Sequence, residues 1–194
     1  MSEERLPLLA RAIAAVWRGD WSGFAAAATG LRCAHVPRSD AEETLLQAVL
    51  FCGFPRVVTA FEELNRVWPV ATPPHGGALA EDQQAAAGDA LFTAIYGRND
   101  AAVRSMLRGC HGEFHDFVLQ AAYGRILSRP GLSPLDRELL ACAALTAQAQ
   151  KRQFVAHARG ALHFGATRDQ LWHVLQAALD DGDAADQWLQ LVRG

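Results

Sequence analysis

Apolar residues return every three to four positions along most of this chain, the period that a helix imposes on a buried face. Leu8, Leu9, Ala12, Ile13 and Val16 make one such stripe, closed by Gly19-Asp20. A second helix is expected from about Trp21 to Cys33. Ser39 or Asp40 is placed to cap a third, which runs to Phe51 and stops at Gly53. Pro55 suits the first turn of a fourth, reaching about Trp68. Further helices are expected near 82–95, 100–108, 113–127, 134–148, 151–164, 168–179 and 183–192. β-branched residues are sparse and strand-like alternation is nearly missing, so the predicted class is all-α.

The pattern breaks most clearly at Pro69–Gly77, PVATPPHGG, which has no periodicity and reads as a linker. On either side the chain matches itself. Aligning Phe24 with Phe154, a shift of 130, brings Gly30 onto Gly160 and Arg38 onto Arg168. A shift of 129 pairs Leu46-Gln47-Ala48 with Leu175-Gln176-Ala177. Two copies of one helical unit account for this, giving an N-terminal half over 1–70, a linker over 71–81 and a C-terminal half over 82–194.

Composition narrows the function classes. With 194 residues, 51% of them hydrophobic, the chain can bury a substantial core. A net charge of −3 with scattered basic residues gives no footprint for nucleic acid. Cys33, Cys52, Cys110 and Cys142 form no C-x-x-C pair and have no metal-site spacing, so no metal is expected. Cys33, Cys52 and Cys142 lie in apolar helical settings and are expected to pack as small hydrophobes. MSEERLPLL lacks the pattern of a signal peptide, and no apolar run reaches membrane-spanning length in the sequence. The expected setting is the cytoplasm, without membrane association.

Candidate chemistry concentrates between Ser133 and Gly165. Glu138 opens an apolar helix, and His157 lies in the helix that follows. Gln150, Gln153 and His157 fall at i, i+3 and i+7, one face of a helix. Converging carboxylate, carboxamides and imidazole can bind a polar substrate or move a proton. Arg125, Arg129 and Arg137 are candidates to hold an anionic substrate, against the plainer fate of solvated surface residues. The first copy has Ala27 opposite His157 and, at a shift of 131, Pro7 opposite Glu138, so it lacks the polar pair.

These residues resemble the carboxymuconolactone decarboxylase and AhpD-like alkylhydroperoxidase superfamily. The matching segments are Arg137-Glu138-Leu139-Leu140, His157-Ala158-Arg159-Gly160-Ala161-Leu162 and Gly165-Ala166-Thr167. Upstream, Glu42–Ala48 and Phe51-Cys52-Gly53-Phe54-Pro55 look like the family's helix ending in an aromatic-x-Gly-aromatic-Pro segment. The resemblance implies an AhpD-like helical bundle of two related units in tandem. It also implies a site at Glu138 and His157, with Gln150 and Gln153 standing where the peroxidase branch carries its redox cysteines. Without those thiols, hydroperoxide reduction is disfavoured. The implied activity is a cofactor-independent decarboxylation of a small carboxylated lactone or keto acid, with His157 as general acid/base, Glu138 orienting it, and Gln150 and Gln153 binding substrate. The alternative is a non-catalytic helical scaffold or small-molecule binding protein that kept the fold. Self-association is expected, because apolar residues lie on more than one face of Leu139–Ala149. A trimer of tandem chains is favoured by resemblance, with a dimer as the alternative.

Overall fold

The computed structural model describes residues 4–72 and 74–192, and among the described residues there are helices and turns but no strand. The chain runs through α1 (Arg5–Arg18), α2 (Trp21–Cys33), α3 (Arg38–Val67), α4 (Glu81–Tyr96), α5 (Asp100–Cys110) and α6 (Gly112–Phe117). The last continues into π-helical turns over Val118–Leu127. Then come α7 (Pro134–Ala147), α8 (Lys151–His163), α9 (Arg168–Leu179) and α10 (Gly182–Gln190). The protein is all-α, as the apolar period predicts.

Local chemistry explains most boundaries. Gly19 takes φ 70° and ends α1, and Asp20 then caps α2 by accepting from the Gly23 amide at 2.9 Å. Thr167 and Gln170 form a reciprocal capping box at α9. Asp181 caps α10 through the Ala184 amide at 3.1 Å.

Two boundaries differ from expectation. Pro37, not Ser39 or Asp40, precedes α3, and Asp40 lies inside its first turn with its carboxylate drawn to Arg5 instead. The expected third and fourth helices are one helix kinked at Gly53, whose φ 73° and ψ 167° only glycine adopts readily. Pro55 two residues on fits this break, because its missing N–H would leave an interior hydrogen bond unmade. Despite the sequence expectation, α3 is by length and composition apolar enough to cross a bilayer, with an 18-residue window of mean hydropathy 1.5. It is broken at Gly53, however, and packs on α1 and α2.

The chain separates into two compact units, Met1–Pro74 with Leu135–Gly194, and His75–Pro134. This partition cuts across the 1–70 and 82–194 halves read from the sequence, because α1 packs along α9 as well as on α2 and α3. The core of the first unit is built from Leu9, Ile13, Val16, Phe24, Leu31, Leu45, Leu140, Phe154, Leu171 and Leu175, all essentially inaccessible. In the second unit α4 lies on the π-helical segment, with Gly88 so close to Gly124 that a Cβ would come 2.6 Å from the Gly124 nitrogen. There Phe92 stacks edge-on to Tyr123, whose hydroxyl meets that of Tyr96 at 2.9 Å.

Backbone landmarks in the first unit recur 130 positions apart. Gly19 and Ala149 both take positive φ (70° and 57°), as do His35 and Gly165 (55° and 95°). The buried pattern of Ala41, Thr44, Leu45, Gln47 and Ala48 on α3 returns at Leu171, Val174, Leu175, Ala177 and Ala178 on α9. At that spacing Gln47 lines up with Ala177, one position beyond the Gln176 matched by the 129 shift.

Three expectations about surfaces need correction. Cys33 is exposed at the end of α2, whereas Cys52 and Cys142 are buried. The apolar faces of α7 need no second copy to cover them, since Leu139–Leu145 is already buried by the chain itself. Apolar surface lies elsewhere, at Phe54, Val58, Phe114 and Phe117. Arg137 is neither solvated nor free for a ligand: it is 1% exposed and paired inside the protein.

Candidate functional site

The site begins with a helical hairpin. Pro134 starts α7, where an absent N–H costs nothing. Ala149, at φ 57°, reverses the chain into α8. Residues on the facing sides of α7 and α8 then come side by side. Glu138 and His157 meet, with His157 Nδ1 3.1 Å from Glu138 Oε2. Their side chains retain 2% and 13% exposure. Because a carboxylate only accepts, Nδ1–H donates to it, and Nε2 is the free edge of the ring.

Burial pulls the His157 pKa down, but the Glu138 charge and hydrogen bond outweigh it, so the imidazole titrates above its ordinary value. The carboxylate acts in the other direction on Cys142, one turn along α7. Burial first, and the Glu138 charge second, push that thiol well above the usual range. Cys52 is pushed up to about 11, chiefly by burial. Neither buried cysteine forms a thiolate near neutrality, so neither suits nucleophilic or redox work.

Gln150 precedes α8 and Gln153 lies in its first turn; both are exposed. Gln153 stands one turn before His157 along α8. Gln148 holds the turn from the other side, its amide donating to the Phe51 carbonyl at 2.8 Å.

A buried polar layer stands behind the pair. Arg137 donates to Glu43 Oε2 at 2.8 Å and to Gln47 Oε1 at 3.3 Å. Gln47 Nε2 donates in return to the Arg137 carbonyl at 2.8 Å. Next to it, Arg5 bridges Asp40 at 2.6 Å and Asp136 at 3.2 Å. The sequence places Glu43 and Gln47 in the Glu42–Ala48 resemblance but assigns them no part in the site. Their i, i+4 spacing among Thr44, Leu45 and Ala48, a polar pair on an otherwise apolar face, was the available signal.

The remaining histidines do not join the site. His111, His163 and His173 are exposed, and His115 is buried against Asp116 at 2.8 Å. No group of three or more metal-ligand side chains occurs among the described residues. An open groove of about 890 Å³ lies apart from the pair, lined by Pro7, Leu8, Arg11, Cys33 and His173 among others.

Residues 112–192, which include Glu138, Gln150, Gln153 and His157, match the carboxymuconolactone decarboxylase family. The likeness to that family rests on this C-terminal region of the chain. A relative, Peroxisomal protein 2 of Schizosaccharomyces pombe (strain 972 / ATCC 24843), is 29% identical over 141 residues, covering 71% of this chain. The match spans 66% of that relative, just under two thirds of its length. The carboxymuconolactone decarboxylase region thus contains the whole Glu138–His157 hairpin, whereas Glu43 and Gln47 lie outside it.

Proposed function

We propose that this chain is a cofactor-independent carboxy-lyase acting on a small carboxylated lactone or keto acid. The observation that carries the reading is the enclosed His157–Glu138 contact at 3.1 Å. When the C–C bond to the departing carboxylate breaks, CO₂ leaves and the electron pair passes into the adjacent carbonyl, giving an enolate. His157 Nε2–H then protonates carbon, and the neutral imidazole regains its proton from solvent. Glu138 favours the imidazolium, which keeps the acid form available nearer neutral pH. Gln150 and Gln153, at the exposed side of the hairpin, donate to the substrate carboxylate or lactone oxygen.

Peroxide chemistry is the weaker reading: carboxamides stand at the two exposed positions, and the buried thiols are held protonated. A non-catalytic binding protein is the second reading, supported by the exposure of Gln150 and Gln153. The four free cysteines fit a reducing compartment, for which we propose the cytoplasm. Exposed Phe54 and Val58 favour self-association, a trimer before a dimer. Release of CO₂ from a panel of carboxylated lactones and β-keto acids tests the function. Turnover lost in His157→Ala, by roughly 10²–10⁴-fold, is the expected result. Saturable binding of the panel without turnover would put the binding-protein reading in its place.

A further inference from the structure

We infer that Glu43 and Gln47 of α3 are positioning residues for the Glu138–His157 pair, acting through Arg137. The inference deepens the proposed function and rests on that reading for its catalytic meaning. Arg137 immediately precedes Glu138 and is gripped at both ends. Its guanidinium meets Glu43 at 2.8 Å and Gln47 at 3.3 Å, and its carbonyl accepts from Gln47 at 2.8 Å. Separating a buried guanidinium from its carboxylate is costly, so the contact holds this clamp in place. The backbone bond fixes the rotation and axial height of α7 at residue 137. Rotation at that point sweeps the neighbouring Glu138 carboxylate toward or away from α8. Glu43 and Gln47 therefore set where the carboxylate lies against His157 Nδ1.

The chain contains its own comparison. In the 130 register marked by Gly19 with Ala149 and His35 with Gly165, Arg137 corresponds to Pro7 and Glu138 to Leu8. His157 corresponds to Ala27, Glu43 to His173 and Gln47 to Ala177. Buried and half-buried positions agree between 41–49 and 171–179 except at one: Glu43 is buried and His173 exposed. Where the clamp exists, the acid–imidazole pair exists. At the related place both are missing together, and there the open groove passes Pro7, Leu8 and His173. At that related place α1 packs along α9 with Pro7, His173 and Ala177 standing where Arg137, Glu43 and Gln47 form the clamp. Its restriction to the side bearing the pair points to the pair as its purpose.

The test compares Gln47→Leu and Glu43→Gln in the full chain. The readouts are the titration of the His157 ring by NMR, unfolding by urea, and turnover. Gln47→Leu keeps side-chain bulk and loses both hydrogen bonds; Glu43→Gln keeps a neutral acceptor for Arg137. With folding verified by circular dichroism, the expected result is a His157 midpoint moved downward in Gln47→Leu and less so in Glu43→Gln. Turnover should drop by up to roughly 10²-fold, because a small misplacement of a catalytic group is enough. Lower urea resistance with an unmoved His157 midpoint would overturn the inference and leave a purely structural clamp. Should Gln47→Leu not fold, Glu43→Gln decides by the same midpoint. A moved midpoint in a protein that never turns over substrate would sink the carboxy-lyase reading while leaving the positioning role intact.

Discussion

Replacing Glu138 with glutamine removes one negative charge from a side chain that is 2% exposed and leaves the shape of the site unchanged. At 3.1 Å and an effective dielectric of about 20, the attraction to an imidazolium is about 5 kcal/mol. Burial of both groups takes back much of this, and charge-assisted hydrogen bonds typically net about 1.5–3 kcal/mol. In the variant, burial acts on His157 unopposed, so its midpoint should fall below the ordinary histidine value. The sign of the stability change follows. His157 titrates higher folded than unfolded, so its contribution is fully present below the unfolded midpoint, about 6.5. That contribution is lost as pH rises through the raised folded midpoint. Urea unfolding should therefore separate wild type from Glu138→Gln by about 1.5–3 kcal/mol at mildly acidic pH, with the gap closing in alkali. NMR titration of the ring should show the fall in midpoint directly. A gap that widens toward alkaline pH, or a midpoint that stays put, would mean that the contact does not stabilise an imidazolium.

Three further outcomes are expected. Arg5→Ala should cost about 3–5 kcal/mol in urea unfolding, since it removes the guanidinium that bridges two largely buried carboxylates, Asp40 and Asp136, and Arg5→Met should cost less. Gly53→Ala, forced to φ 73° and ψ 167°, should lower stability by about 1–3 kcal/mol, and an unchanged denaturation midpoint would contradict the strained break. A dithiol-coupled hydroperoxide assay should give no turnover above background; robust turnover that tracks any one of the four cysteines would reverse the reading of Gln150 and Gln153.

Helix positions were readable from the sequence because period and punctuation agreed: Gly19-Asp20 at the first turn and Ala166-Thr167 before α9 are local signals with local effects. The pairing of Glu138 with His157 was also within reach, because a short turn between two helices fixes which residues face each other. The clamp was not. Arg137 carries no local mark that separates a buried arginine from a solvated one, and its partners lie 90 and 94 positions away. The same blindness explains Asp40, which by sequence suits a helix cap and in the fold serves Arg5. Long-range charge pairing overrides capping preference when the alternative is a stranded buried charge. Gln150 and Gln153 show the opposite limit: helical periodicity placed them on one face but could not say whether that face is enclosed.

The division of the chain into units also governs the order in which it can fold during synthesis. Arg5 must wait for Asp136, 131 positions later, and α1 must wait for α9. The whole of His75–Pro134 is made in between. A ribosome adds about 5–20 residues per second, so the apolar stripe of α1 goes without its α9 partner for several seconds to tens of seconds. Through that interval only α2 and α3 are at hand to shield Leu9, Ile13 and Val16. A chain stalled between α3 and α7 would carry an incomplete core, the kind of species that chaperones bind and that aggregates when they are scarce.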